Sequence, residues 1–425
     1  MLSKSSIFYF GCLLSFFSTI LHAETNVSND VNSINLKNAI EKTFEHNPDL
    51  QSFNYTLKAQ AGRQLQAGLS SSPEINFTIE NVVGTGEFKA ADNAQATVSI
   101  GWVLEGDIRQ GYIDVSNADM LSLSSEGNTK RLDVAAETAR LYLICLANQA
   151  RMTNASNTVE LAEETVLVVK KRVSAGKSPE AELARAEAKL SRRQLEQEDI
   201  GHELSSAIHM LSAQWGEVRP NFTKVEGNIF SLPTIMPFEA LKARLGQSPK
   251  FIRLLSDKRL KEAQLKLAKS LSNSAWRVNL GVRHYETTND QALVAGISIP
   301  FGERSRNTGS IIEAQENLSQ IQAKEDELRV RFETTLYVLS QELEHSLHRL
   351  ETYRKDIIPQ LEKALKQTRR AYSLGRYSYL EWSSVQAELL DARSVLIESS
   401  ADAHLKIIEI ERLTGVQFAQ AAEKL

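Results

Sequence analysis

Apolar residues recur at spacings of four and three over most of this chain, and twice that period gives way to strict alternation. Between Asn307 and Leu374, one such seam runs through Leu328, Phe332, Leu336, Leu339, Leu343, Leu347 and Leu350, with Glu, Lys and Arg filling the other faces. That pattern predicts a coiled-coil helix roughly 100 Å long at about 1.5 Å per residue. Pro359 is expected to kink it, because proline removes a hydrogen bond and crowds the preceding turn. The return helix carries Val385, Leu389, Ala392, Leu396 and Ala403 on one seam and ends at Gly415. Helices of this length cannot hide their apolar stripes in a compact globule, so they must pack lengthwise on one another and on neighbouring copies.

The alternating stretches predict strands. In PEINFTIENVV, Ile75, Phe77 and Ile79 fall on one face and Glu74, Asn76, Thr78 and Glu80 on the other; AQATVSIGWVL then aligns Ala96, Val98, Ile100, Trp102 and Leu104. Together they make a hairpin over about 73–105 with a long Gly-containing loop. Trp276, Val278, Leu280 and Val282, followed across ETTND by Leu293, Ala295, Ile297 and Ile299, make a second hairpin over about 275–301. Four strands are too few to close a membrane barrel, which begins at about eight. Either several chains share one barrel, or the strands pack as an ordinary sheet against helices.

The two hairpins belong to an internal repeat. RVSAGKSPEAELARAEAKL from Arg172 and YSLGRYSYLEWSSVQAELL from Tyr372 align without a gap at an offset of 199, which pairs Gly176 with Gly375, Glu182 with Glu381, and Gly216 with Gly415. Each repeat opens with a helical pattern split by a proline pair, Asn47-Pro48 within Leu36–Leu69 and Ser248-Pro249 within Phe238–Leu271. The organisation expected is a first repeat over 24–230 with a helix-hairpin tip at 174–179, and a second over 231–425 with its tip at 373–378.

Composition narrows the class. Met1 to Ala23 reads as an export signal, with Lys4, an apolar run from Ile7 to Leu21, and a small residue before cleavage. The net charge of −4 becomes about −5 without that segment and offers nothing to nucleic acid. Cys12 lies inside the signal, which leaves Cys145 single and excludes a disulfide framework; Gly11-Cys12 admits lipid attachment as an alternative processing route. No Walker loop, nucleophile elbow or zinc signature occurs, so neither an enzyme nor a cofactor or metal centre is expected. His345 and His348, beside Glu344 and Glu351, form an incomplete ligand set and read as a solvated coiled-coil face.

The ordered set of export signal and two repeats of helix, strand hairpin, long helix, glycine turn and return helix resembles the TolC family of outer-membrane efflux channels. The resemblance spans nearly the whole mature chain. NPDLQSFNYTLKAQAGRQLQAG is similar to the family's opening helix, SIPFGERSRNTGSI to its strand-to-helix junction, and YSLGRYSYLEW to its helix-tip motif. IENVVGTGEF resembles the hairpin of the branch that serves heavy-metal exporting resistance-nodulation-division (RND) pumps. The resemblance implies a mainly α fold with a small β part: a homotrimer with a long helical coiled-coil barrel, whose four strands per chain join one twelve-stranded transmembrane β-barrel in the outer membrane of a Gram-negative cell. It implies a passive duct, with outer-membrane lipid around it and a periplasmic adaptor (membrane fusion) protein and an inner-membrane RND transporter as partners. The cargo implied is heavy-metal cations; drug or protein export by the same fold, or a soluble periplasmic coiled-coil protein, are the alternatives.

Site residues follow from the same resemblance. The acid six positions after the second tip glycine, here Glu381, lines the closed periplasmic end, where three-fold symmetry would gather three carboxylates and raise their pKa values. Taken alone, Glu381 reads equally as a first-turn glutamate favoured by the helix dipole. Ser384 stands where a second ring acid is expected, and Glu182 is the first-repeat counterpart of Glu381. A latch between the hairpins would join Glu182 to Tyr372 and a basic residue; Tyr377 occupies the expected basic position, with Arg376 one place early. An ordinary surface ion pair, worth about 0–1 kcal/mol, is the alternative. Gly176, Lys177, Ser178 and Pro179, with Leu374, Gly375, Arg376 and Tyr377, match the adaptor-docking turns, and otherwise read as plain turn residues. Trp102 and Trp276 are candidates for an interfacial aromatic belt.

Overall fold

The computed structural model describes residues 33–233, 236–273, 275–300 and 307–415, so the export signal and Cys12 lie outside the described residues. In chain order the elements are β1 (Ser33–Ile34), α1 (Leu36–His46), α2 (Pro48–Gly68), β2 (Glu74–Glu80), β3 (Gln95–Leu104), α3 (Asp107–Ser174), α4 (Glu180–Ala213) and β4 (Lys224–Val225). They continue as α5 (Phe238–Arg244), α6 (Pro249–Ser270), β5 (Trp276–Tyr285), β6 (Asp290–Ser298), α7 (Thr308–Thr352), α8 (Ile358–Ser373) and α9 (Tyr379–Thr414). Both proline pairs start helices at the second residue, and the residue before each proline is the cap. The Asn47 side chain accepts from the Asp49 and Leu50 amides, and the Ser248 hydroxyl from that of Phe251.

The four long strands form one antiparallel sheet in the order β2-β3-β5-β6. Its register places the predicted apolar residues on a single face: Ile75 opposite Ile100, Phe77 opposite Val98, Val98 opposite Val282, Ile100 opposite Leu280, Leu104 opposite Trp276, and Val278 opposite Ile297. That face is bare, with Ile75 78% and Leu293 83% exposed. The opposite face is polar; on it Arg283 reaches Glu80 on β2 at 2.8 Å and Thr97 on β3 at 2.9 Å. Trp102 and Trp276 lie at one end of the apolar face, where β3 is about to enter α3 and β5 has just left α6.

Each strand continues from or into a long helix, and the helices keep the order of the strands: α2 packs on α3, α3 on α6, and α6 on α7. The unpaired sheet edges β2 and β6 are therefore in line with α2 and α7, the helices at the two ends of that order. On α2, Tyr55 and Leu65 are exposed, and on α7, Val330 and Tyr337. Among the described residues no helix is long and apolar enough to cross a membrane.

Below the sheet, the leucine seam of α7 is consumed as its spacing predicts. Leu328, Phe332, Leu336 and Leu343 are buried in one core with Phe251 of α6 and Ala403, Ile407 and Ile410 of α9, and Leu350 is buried further along the seam. A second core forms around Tyr142, Cys145 and Leu211, where the Tyr142 hydroxyl donates to the Ile34 carbonyl at 3.1 Å and ties the β1–β4 pair to α3. The expected single helix from Asn307 to Leu374 is interrupted differently from a simple proline kink. Residues Tyr353–Ile357 form a π turn, in which the Ile358 amide donates to the Tyr353 carbonyl, and α8 begins with Pro359 in its first turn. The wider turn accommodates a residue that lacks an amide hydrogen, and proline is tolerated at a helix start.

Candidate functional site

The two helix hairpins, α3–α4 and α8–α9, end side by side, and their turns are built alike. At the first, the Gly176 amide donates to Val173 and that of Lys177 to Arg172; at the second, Gly375 donates to Tyr372 and Arg376 to Ala371, all at 2.9 Å. These paired bonds satisfy carbonyls that a helix end leaves open, and they require a left-handed residue, which glycine supplies at φ 67° and 74°. The next helix begins differently in each case. Pro179 caps α4 without a side-chain bond, whereas Ser378 caps α9 in a reciprocal box with Glu381.

Between the turns lies a small buried core of Val169, Ala186, Tyr372, Tyr379 and Trp382. Tyr372 stacks on Trp382 with ring centroids 5.1 Å apart, and its hydroxyl donates to Glu182 Oε2 at 2.9 Å. Burial raises the pKa of Tyr372 above its ordinary value, so the phenol stays a donor. Over the other face of that ring sits Arg172, its guanidinium 4.7 Å from the centroid. Arg172 Nη1 donates to the carbonyls of Tyr372 at 2.6 Å and Ser373 at 3.2 Å, Nη2 to Lys177 at 3.2 Å, and Nε to Ser178 Oγ at 3.1 Å. One cation from the first hairpin thus closes the C-terminus of α8 and braces its own turn.

Further up, two more bonds join the hairpins. Gln386 on α9 donates to the Thr165 hydroxyl on α3 at 2.8 Å, and Lys189 on α4 to the carbonyl and hydroxyl of Ser383 at 3.2 and 3.1 Å. Burial lowers the pKa of Lys189, and nearby Arg193 lowers it further.

The residues singled out in the sequence divide. Glu182 and Tyr372 meet directly, whereas Arg376 is exposed with no side-chain partner among the described residues. The basic member of the arrangement is Arg172, which sequence reasoning passed over although it opens the first tip stretch, four residues before Gly176. Its signal was available: it lies in the last turn of a helix, where cations bond to carbonyls. Glu381 is exposed, and its Oε2 accepts from the Ser378 amide at 2.7 Å and hydroxyl at 2.9 Å, which hold its carboxyl below the usual range. Ser384, one turn on, is exposed and donates to Glu388 at 3.2 Å, so an acid follows the serine on the same face. Lys177, Pro179, Leu374 and Tyr377 are exposed, and Ser178 is half-buried under Arg172. Among the described residues no group of three or more His, Cys, Asp or Glu is placed to hold a metal.

Known proteins share this architecture. Residues 39–217 match the family model described as outer membrane efflux protein. The cobalt-zinc-cadmium resistance protein CzcC of Cupriavidus metallidurans is 22% identical over 382 residues, covering 90% of each chain. The nickel and cobalt resistance protein CnrC of the same organism is 24% identical over 296 residues, 69% of each chain. Among solved structures, CusC superposes with a TM-score of 0.75 at 13% identity over 90% of this chain and 92% of its own. VceC of Vibrio cholerae gives 0.74 at 16% identity over 89% and 96%.

Proposed function

We propose that this chain, a member of the outer membrane efflux protein family through residues 39–217, is the exit duct of a tripartite system that moves heavy-metal cations. It is an outer-membrane efflux channel whose helical part stands in the periplasm. The observation that carries the duct is the sheet: two unpaired edges, one continuous apolar face, one polar face, and edge helices in register with edge strands. An exposed apolar face and open edges are stable in lipid only if the sheet closes. Three copies of a four-stranded sheet supply twelve strands, above the minimum of about eight for a membrane barrel. The exposed apolar stripes of α2 and α7 then meet across protomers.

Metal cargo is favoured by the resistance proteins to which the chain is similar. The periplasmic mouth is then formed by the two hairpin tips, with Glu381 facing the three-fold axis and the Glu182–Tyr372–Arg172 cluster holding each protomer's hairpins together. A periplasmic adaptor docks on the turns and connects the duct to an RND pump, which supplies the energy. No residue of the chain is assigned a catalytic step. A soluble periplasmic role is disfavoured, since it leaves the apolar face without a cover.

The test is direct. The purified mature chain should require detergent, run as a trimer, and form cation-biased pores in planar bilayers. Cells lacking the gene should lose tolerance to cobalt, zinc, nickel or cadmium. A soluble monomer would sink the duct, and unchanged metal tolerance with new sensitivity to antibiotics would sink the cargo.

A further inference from the structure

The tip surface carries a charge pattern that the duct alone does not explain. From Thr165 to Pro179 the chain has Lys170, Lys171, Arg172 and Lys177 and no acid; from Lys363 to Leu380 it has Lys363, Lys366, Arg369, Arg370 and Arg376 and again no acid. This occurs in a protein whose net charge is −4. Only two of these nine cations have side-chain partners among the described residues: Arg172 in the cluster above, and Arg369, 3.0 Å from Glu164. Lys170, Lys171, Lys177, Lys366, Arg370 and Arg376 are exposed. Of the acids at the starts of the returning helices, Glu180 is exposed, while Glu182 is engaged by Tyr372 and Glu381 by Ser378.

A helix dipole favours cations, but its influence fades within the last turn. It accounts for Lys171 and Arg370; it does not account for Lys177 and Arg376 beyond the helix ends, nor for Lys366 and Lys363, about two and three turns before one. Large apolar side chains are exposed among these charges. Leu167 is 59% exposed in a shallow groove with Lys170, Lys171, Ser174 and Ala175, and Leu374 and Leu380 are each 60% exposed beside Arg376. Apolar anchors set among unpaired charge that is mostly positive, with Glu163 and Glu180 the exposed acids nearby, form a recognition surface rather than a merely solvated end.

Building on the docking reading above, we infer that the protein seated on these tips presents an acidic face, its carboxylates on the Lys170–Lys171 ledge and Arg376 and its aliphatic side chains against Leu167 and Leu374. Complementary charge speeds encounter and fixes register, while the apolar anchors give the contact its lifetime.

The probes are two synthetic helical hairpins of one leucine-bearing sequence, with glutamates or lysines flanking the leucines, titrated by fluorescence anisotropy against the detergent-purified trimer. The glutamate hairpin should bind, weaken about tenfold or more as salt rises from low to physiological strength, and lose about tenfold with Lys170→Glu plus Lys171→Glu. Leu167→Ala should weaken binding without changing the salt dependence. Equal binding of both hairpins, or indifference to the lysine reversals in a variant that still runs as a conducting trimer, would overturn the inference. A cysteine crosslinker at Ser373 in living cells separates the two readings. Crosslinks to a periplasmic protein that persist undiminished in the lysine reversals would remove the acidic chemistry and leave tip docking standing. No crosslink from the otherwise unaltered channel would remove both.

Discussion

Tyr372 and Glu182, 190 positions apart in sequence, share a 2.9 Å hydrogen bond across the two helix hairpins, with Arg172 stacked on the same tyrosine ring. The bond is local to one protomer. It joins the two hairpin tips of one chain, so in the proposed trimeric duct a widening of the mouth would have to separate either protomers or this cluster.

Loosening the cluster should widen the mouth. Tyr372→Phe removes one hydrogen bond, worth about 1 kcal/mol, and Arg172→Ala removes several half-exposed ones, about 1–2 kcal/mol after solvent screening. Each should raise single-channel conductance and speed amide exchange at Gly375 and Arg376. Because Arg172 packs on the ring that carries the Tyr372 hydroxyl, the double variant should fall short of additivity by about 0.5 kcal/mol or more; strict additivity would show that the two contacts act separately.

Glu381 ties the start of α9 to pH. Bonds from the Ser378 amide and hydroxyl lower its folded pKa below the ordinary 4.5. Its contribution is therefore complete above that value and is lost as pH falls through the lower folded one. Cation bias in bilayers should fade, and the first turn of α9 should fray, on acidification below about 4.5. Ser378→Ala should cost about 0.5–2 kcal/mol of local stability and move the fraying upward in pH. An unchanged pH profile in that variant would dissociate the cap from the titration.

The sheet faces should respond oppositely to charge. Phe77→Lys puts an ammonium on the apolar face and should destabilise the trimer by about 2–4 kcal/mol if it lies near mid-bilayer; Thr78→Lys, one residue on, points to the polar face and should leave the trimer intact. Heat-resistance of the trimer band on denaturing gels reads the difference. Equal sensitivity at the two positions would contradict the assignment of faces.

Cys145 should be silent in the native protein. It is fully buried in the core around Tyr142, and burial pushes its thiol up to about 12. Maleimide at neutral pH should label it only after denaturation; rapid native labelling would mean that this core opens.

The four-three seams of α7 and α9 and the alternation in β2, β3, β5 and β6 were legible because each reports a single local period, 3.6 or 2, that holds wherever the segment packs. The tip turns were legible for a related reason: Gly176 and Gly375 occupy left-handed positions that few other residues tolerate. Pro359 showed where α7 would be disturbed, but the widening into a π turn over Tyr353–Ile357, which lies against α9, has no signal in the hydrophobic period.

Sequence by itself determined the elements, the repeat, the apolar sheet face and the two turns, since all of these follow from backbone preference and hydrophobic period within a segment. Only the tertiary structure decided which side chains meet between segments. Arg172 rather than Arg376 closes the tip because α3 and α8 end close enough for a guanidinium to span from one to the carbonyls of the other. Glu381 turns to its own cap because Ser378 offers two donors within one turn. Those choices rest on distances of about three ångströms between residues some 200 apart or on the rotamer of one carboxylate, and no spacing along the chain encodes either.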